Sequence, residues 1–328
     1  MTLRWGILGT GGIAQQFVRD LQRVAGHEIL SVGSRTQESA DAFGNKFNIP
    51  YRHPSYQALV NDPDVDAVYI ATHHPMHRRD AELAMAKGKA VLCEKPLAMT
   101  YADALSMVEC SRENNVLFME AMWARFLPHM IRVKEIVASG VLGEIISVQA
   151  DHGQWFEQDP EFRLFKPELG GGALFDLGIY PVSFASMIFG EPGAITAKAT
   201  KAFTGVDGQT SIILQYESGA QAILNTTNLA ATPNRAVIVG THARIEIDRT
   251  FYAPSKFRVI NNQDIIIEGW DKTYSGHGLR EEAIEFARAY KAGEKESPMM
   301  THAESLSIMR TMEEIANQIG LVYPDFIM

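Results

Sequence analysis

Cysteine is almost absent from this chain. Cys93 and Cys110 are its only two, too few for a disulfide framework and without the spacing of a zinc site, so a reducing, cytoplasmic setting is expected. Long apolar runs are missing as well. No stretch approaches the roughly 20 residues that cross a bilayer, and residues 1–8 lack the basic start and long apolar segment of a secretory leader. Nor is there an excess of positive charge. Thirty Lys and Arg face 39 Asp and Glu, a net of −9, which argues against a nucleic-acid or membrane-surface partner. These absences leave a small molecule as the expected partner. At 328 residues the chain exceeds one typical core, and two domains are expected, at 1–121 and 122–328.

What is present begins at the amino end. Residues 5–8 form an apolar run that breaks into Gly9-Thr10-Gly11-Gly12-Ile13-Ala14, after which Ile13, Phe17, Leu21 and Val24 recur at helical spacing. Strand, glycine turn and helix in that order suit a dinucleotide. Gly9 permits the tight turn, Gly11 lets a pyrophosphate approach the main chain, and Ala14 lets helix pack on strand. Thr10, Gly12 and Ile13 complete the segment, where a helix start offers free N–H groups and a positive dipole end.

The end of the strand over residues 29–32 selects the cofactor. An acid there would take a free 2′-hydroxyl, but the chain has Gly33-Ser34-Arg35-Thr36 and no acid before Glu38. Ser34 and the planar fork of Arg35 suit a 2′-phosphate. NADP is therefore expected over NAD. The competing use of Arg35 is an ion pair with Glu38 or Asp41 on the next helix.

A strand over 64–72 leads to Thr72-His73-His74-Pro75-Met76-His77. No cysteine or paired carboxylate lies near enough to complete a metal site with these histidines, and no metal is expected. Thr72, His74 and His77 are expected along the cofactor cleft. After a helix over 78–88, the strand at 90–92 delivers Glu94, Lys95 and Pro96 to the sheet rim, where ligands of open α/β sheets bind. Lys95 is thus the first candidate for chemistry, with Glu94 beside it, although an isolated lysine here would be an ordinary loop residue. A helix over 101–114 and a strand over 116–119 lead to Glu120-Ala121-Met122-Trp123-Ala124-Arg125-Phe126. This segment is either core at a domain junction or one wall of a ligand site, with Trp123 and Arg125 as cofactor contacts.

Beyond residue 122 the pattern changes. A helix over 128–139 is followed by β-rich segments at 145–150, 194–200, 210–216, 220–226, 235–239, 243–247, 256–260 and 264–268, several joined by hairpin turns such as Ser218-Gly219. Such a mostly antiparallel sheet leaves a face free, and Ile212, Leu214, Ile265 and Ile267 suggest that subunits pair through it. Helices over 279–292 and 303–319 close the chain. Within this half, Gly170-Gly171-Gly172 opens a helix on which Asp176 and Tyr180 lie four apart, hence on one face, able to share a substrate hydroxyl. The alternative is a glycine cap followed by a buried tyrosine satisfied by its neighbour.

Taken together, Gly9 to Ala14, Thr72 to His77, Glu94-Lys95-Pro96 and Gly170 to Tyr180 resemble the glucose-fructose oxidoreductase, inositol dehydrogenase and rhizopine-catabolism (Gfo/Idh/MocA) family across nearly the whole chain. Thr72 to His77, Glu120 to Phe126, Arg163-Leu164-Phe165 and Leu169 to Pro181 look most like its trans-1,2-dihydrodiol and D-xylose dehydrogenase branch. Many family members carry histidine where this chain has Tyr180; that branch has tyrosine.

The resemblance implies a Rossmann domain, a C-terminal α+β domain with a large open-faced sheet that pairs subunits, and NADP between them. It also implies that Lys95 contacts the nicotinamide ribose and reacting oxygen, Tyr180 moves the proton, and Asp176 orients the substrate. The function expected is hydride transfer between NADP and a secondary alcohol or hemiacetal of a sugar, cyclitol or vicinal diol. Two other functions use the same fold: a regulator that binds dinucleotide or sugar without turnover, and a glycosidase that oxidises transiently.

Overall fold

A computed structural model describes residues 2–324. Six strands lie in its first third: β1 (Leu3–Leu8), β2 (His27–Gly33), β3 (Tyr51–His53), β4 (Ala67–Ile70), β5 (Ala90–Glu94) and β6 (Phe118–Ala121). Eight follow: β7 (Ile145–Gly153), β8 (Ala194–Lys201), β9 (Asp207–Gln215), β10 (Gln221–Thr227), β11 (Ala236–Gly240), β12 (Ala243–Ile247), β13 (Phe257–Asn261) and β14 (Ile266–Trp270). The helices are α1 (Gly12–Leu21), α2 (Gln37–Phe47), α3 (Tyr56–Val60), α4 (His77–Met85), α5 (Tyr101–Glu113), α6 (Pro128–Ala138), α7 (Ile179–Phe189), α8 (Leu279–Ala292) and α9 (His302–Gln318).

The chain forms two compact units. One holds the chain up to Trp123 together with Gly276–Leu306; the other holds Ala124–Ser275 and the stretch from Ser307. The chain passes between the units after Trp123, after Ser275 and after Leu306. Asp20 on α1 gives the physical reason for the second. Its buried carboxylate accepts the N–H groups of His277 (3.0 Å), Gly278 (2.7 Å) and Leu279 (3.1 Å), fastening the amino end of α8 to α1. Phe286 of α8 then packs on Trp5, with ring centroids 5.1 Å apart.

In the first unit all six strands are parallel, in the order β3-β2-β1-β4-β5-β6. β4, β5 and β6 are buried at every position, as strands covered on both faces must be, and this explains why apolar residues dominate them, with Glu94 and Glu120 at their ends as buried exceptions. The strand order reverses between β1 and β4, so the connections leaving those strands part and open a crevice at their carboxyl ends. Sequence periodicity does not reveal β3 or α3, which are three and five residues long and too short to show one.

The second unit is an eight-stranded sheet in the order β14-β13-β12-β11-β7-β10-β9-β8. Every pair is antiparallel except β7 with β10. β9 alternates strictly, with Thr210, Ile212 and Leu214 buried and Gln209, Ser211, Ile213 and Gln215 exposed. One face thus carries the core, and Ile212 and Leu214, expected on the free face, lie buried on it because the strand alternates from the opposite parity; the other face is open. The strand expected over 264–268 starts two residues later, at Ile266. Asp264 adopts a left-handed φ of 59°, and the Asn261 side chain accepts the N–H groups of Gln263 and Ile265, each at 3.0 Å. The hairpin turn therefore extends through Asp264.

One apolar stretch is longer than expected. Pro167–Phe189 spans 23 residues with mean hydropathy 1.4, enough by length and composition to cross a membrane, but 78% of it is buried within the protein. Its helical part, the turn at Leu174–Gly178 and α7, packs on β7 and β10.

Candidate active site

The turn after β1 is built for close approach to the main chain. Gly9 has φ +104°, and a Cβ added there would stand 2.8 Å from the Ala71 carbonyl oxygen, so only glycine fits. Beyond it, nothing lies within 4 Å of where side chains of Gly11 and Gly12 would begin. α1 has no capping side chain and no acid in its first turn, so its opening amides face that open space. Thr10 and Ile13 are half-buried, and Ala14 is fully buried beneath the turn. These features fit the diphosphate of a dinucleotide.

At the end of β2, Ser34 is buried and donates its N–H to the His53 carbonyl at 3.2 Å. Arg35 is exposed. Among the described residues it forms no ion pair; Asp41, its expected competitor, takes a hydrogen bond from Gln37 (3.0 Å) and lies 4.0 Å from Arg52. Tyr56 lies in the field of both Arg35 and Arg79.

After β4 the histidines do different work. His74–Met76 makes a single tight turn into α4, and the His74 ring packs edge-on to that of His77 at 5.7 Å. His77 is fully buried, with Nδ1 3.0 Å from the Pro96 carbonyl and Nε2 3.2 Å from the Thr72 carbonyl. Burial holds its pKa down to about 4, so the ring is neutral and donates to one carbonyl at a time. This corrects the expectation for His77. Its ring does not line a cleft; it ties the loop after β4 to the loop after β5, and Thr72 contributes its carbonyl to that tie.

Lys95 stands where the sequence places it, at the rim beyond β5, and is 9% exposed. Two buried carboxylates hold the main chain around it. Glu94 accepts from the Tyr69 hydroxyl and from the Lys95 N–H (3.2 Å), while Glu120 accepts from the Leu97 N–H (3.1 Å). Glu94 therefore braces the loop, a task the residue pattern alone did not disclose. A third carboxyl, Glu282 of α8, is fully buried with neither oxygen hydrogen-bonded among the described residues. Burial first, and then the charges of Glu94 and Glu120, push its pKa well above the usual carboxyl range. Trp123 is buried, its ring 5.0 Å from that of His277.

In the second unit the expected pair lies on one helical run, but the helix is not a plain α-helix. Leu174–Gly178 is a π-helical turn that leads directly into α7, so the i, i+4 argument applies across a widened turn; such widenings recur at functional sites. The Asp176 carboxylate is fixed by Arg163, whose Nη2 reaches Oδ1 at 3.1 Å and Oδ2 at 3.0 Å. Tyr180 is 8% exposed and sits against two rings, His152 at 5.2 Å and Tyr252 at 4.7 Å.

The cage around Tyr180 is itself hydrogen-bonded. The Gln154 amide nitrogen lies 2.9 Å from His152 Nε2 and 3.1 Å from the Tyr252 hydroxyl, and His152 Nδ1 lies 3.0 Å from the Leu177 carbonyl. The only consistent tautomer has Nδ1 donating to Leu177 and Nε2 accepting from Gln154. Arg125 supports the same helix. Its Nε donates to Ser183 Oγ at 2.9 Å and its second guanidinium nitrogen to the Ser183 carbonyl at 2.7 Å, so its guanidinium braces α7 where a cofactor contact was expected. His152, Gln154 and Tyr252 were missed in the sequence because they come from distant segments and meet only in the fold.

A 3-2-1-4-5-6 parallel sheet whose first helix opens on bare amides defines a dinucleotide-binding α/β chain. Family models are more specific. Residues 3–122 match the oxidoreductase family NAD-binding Rossmann fold, and residues 130–246 match the GFO/IDH/MocA C-terminal domain. The chain belongs to the Gfo/Idh/MocA oxidoreductase family and is an NAD(P)-dependent oxidoreductase.

Two relatives are trans-1,2-dihydrobenzene-1,2-diol dehydrogenases. That of Xenopus laevis is 36% identical over 333 residues, covering 99% of this chain and 100% of the relative. That of Mus musculus is 36% identical over 332 residues, covering 99% of both. Among solved structures, the aldose-aldose oxidoreductase from Caulobacter crescentus, complexed with glycerol, has a TM-score of 0.87 at 27% identity over 97% of each chain. A mutant 3-ketoreductase from Actinomadura kijaniata, in complex with TDP-benzene and NADP, has a TM-score of 0.86 at 25% identity over 97% of this chain and 98% of that one.

Proposed function

We propose that this oxidoreductase uses NADP and acts on a secondary alcohol or hemiacetal of a sugar, cyclitol or vicinal diol, with Lys95, Asp176 and Tyr180 at the reacting carbon. The observation that carries the reading is the presentation of Asp176 and Tyr180. An arginine-fixed carboxylate on a widened helical turn is followed by a caged phenol at the start of α7. Full-length similarity to diol dehydrogenases supports the substrate class. NADP is supported by the exposed Arg35 beyond β2, which forms no ion pair among the described residues, with no acid at that strand end, and by the NADP held by the 3-ketoreductase relative.

When bound, the nicotinamide takes or gives the hydride, which no side chain can do. The residues of this chain manage position and one proton. Main-chain amides at Gly11 to Ile13 hold the diphosphate, and Arg35 with Ser34 takes the 2′-phosphate. Asp176 accepts a hydrogen bond from a substrate hydroxyl in an orientation set by Arg163. Tyr180 receives the proton of the reacting hydroxyl during oxidation and returns it during reduction. A free phenol titrates near 10, so proton transfer near neutrality calls for a bound neighbour that favours the phenolate.

The open face of the second sheet supports self-association. A continuous cross-strand row runs Thr196, Ile213, Ile223, Gln149, Val237, Glu246 and Arg258. Within it Ile213 and Ile223 are 44% and 48% exposed, and an apolar pair of this kind is suited to a matching face on a second copy.

Turnover followed at the reduced-cofactor absorbance tests the chemistry, using sugars, polyols and diols with NADP and NAD. Tyr180→Phe and Lys95→Ala should each lose at least about a hundredfold in kcat, the scale of general acid–base catalysis. Full turnover in both variants would overturn the assigned roles, and binding of dinucleotide without turnover of any substrate would favour a regulator.

A further inference from the structure

One buried carboxylate in the second unit has no part in the reaction as described above, yet it touches the segment that carries it. Asp207, the first residue of β9, is 1% exposed. Its Oδ2 accepts the N–H of Leu174 at 2.7 Å, the first residue of the widened turn, and the Thr210 hydroxyl at 3.1 Å. Its Oδ1 has no hydrogen-bond partner among the described residues. Gly172, with φ +118°, lies against that oxygen so closely that an added Cβ would stand 2.2 Å from it. The neighbouring glycine is held too, since the Tyr323 hydroxyl donates to the Gly171 carbonyl at 2.6 Å.

We propose that Asp207 is a positioning residue for the reaction: wedged into the triple-glycine turn, its carboxylate fixes how the helix bearing Asp176 and Tyr180 leaves the sheet. The inference rests on the roles given above to those two residues. Geometry explains the glycines better than helix opening alone does. Gly172 must be glycine because the carboxylate occupies the space of its side chain, and the same carboxylate caps the Leu174 amide that opens the turn. Two residues beyond Leu174 comes Asp176, and six beyond it comes Tyr180. A shift of the cap therefore moves both reacting groups together.

The carboxyl also carries a proton switch. Burial raises its pKa to about 7, against the opposing pull of its hydrogen bonds from Leu174 and Thr210. The titratable group that faces it is Tyr323, whose own pKa is raised by burial and by the Asp207 charge. Above neutrality the charged form makes the stronger, charge-assisted cap; below it the cap weakens.

Three variants test this. Asp207→Ala should lower kcat at least tenfold with the NADP KM within twofold, and should raise hydrogen exchange of the amides in residues 172–180. Asp207→Asn keeps an acceptor for Leu174 without the charge. Its exchange should return toward wild type, while its kcat should lack the rise between pH 6 and 8 that the wild type shows. Unchanged exchange and kcat in Asp207→Ala, or superimposable pH profiles for wild type and Asp207→Asn, would overturn the proposal. Tyr180→Phe separates the two failures. If it turns over normally, the reading of the reaction fails, and exchange in Asp207→Ala still decides whether the cap exists; if it is inactive while Asp207→Ala matches wild type, only the cap fails.

Discussion

A single guanidinium nitrogen of Arg163 reaches both carboxylate oxygens of Asp176, at 3.1 and 3.0 Å. Asp176 is 6% exposed, and the pair sets how its carboxylate is turned. Arg163→Ala should therefore raise the substrate KM and lower kcat/KM by roughly ten- to a hundredfold, the worth of one charge-assisted hydrogen bond. The cofactor KM should stay within twofold. Steady-state kinetics with each substrate varied in turn measure both.

Gly9→Ala should disable the first unit. The left-handed φ and the 2.8 Å approach to Ala71 leave no room for a methyl group, and strain of this kind costs about 1–3 kcal/mol. Denaturant midpoints should fall, and cofactor binding followed by reduced-nicotinamide fluorescence should weaken at least tenfold. Gly12→Ala is the control. Nothing stands near its side-chain position, so stability should hold to about 0.5 kcal/mol.

Arg35→Ala should shift the ratio of NADP to NAD specificity by one to two decades, since a charge-assisted bond to phosphate is worth about 1.5–3 kcal/mol. An unaltered ratio of kcat/KM values would remove Arg35 from cofactor selection.

Two kinds of buried group should pull stability in opposite directions with pH. His129 is buried with its pKa depressed to about 4, so it contributes stability above the unfolded value near 6.5 that is lost as pH falls toward 4. At pH 5 this amounts to about 2 kcal/mol, and His129→Gln should show that much less acid destabilisation between pH 7 and 5. Glu282 is raised instead. Its stabilising contribution is complete below the unfolded value near 4.5 and declines as pH rises toward the folded value. Glu282→Gln should accordingly unfold at higher denaturant than wild type at pH 8, with the advantage vanishing at pH 4.

Much of this protein is legible before folding. The turn at Gly9, the rim position of Lys95, and the spacing of Asp176 and Tyr180 follow from local rules of strand ends, glycine and helical periodicity. Those rules fail where function depends on partners far along the chain. Arg125 meets Ser183 across 58 positions, and Gln154 meets Tyr252 across 98. Nothing local at Arg125 distinguishes a brace from a ligand contact. His77 misleads for a related reason: a histidine after a strand looks like a cleft residue until both ring nitrogens are seen to face carbonyls.

The carboxylate of Asp20 has a further consequence for how the protein is made. Its N–H donors lie more than 250 positions downstream, and Phe286 covers Trp5 from the same late segment. A nascent chain that has emerged only as far as Trp123 has all six parallel strands and the helices between them, but not α8. Trp5, its largest fully buried side chain, lacks its Phe286 partner until the ribosome has finished most of the message, so this half should need protection from aggregation during synthesis and should resist expression as an isolated fragment.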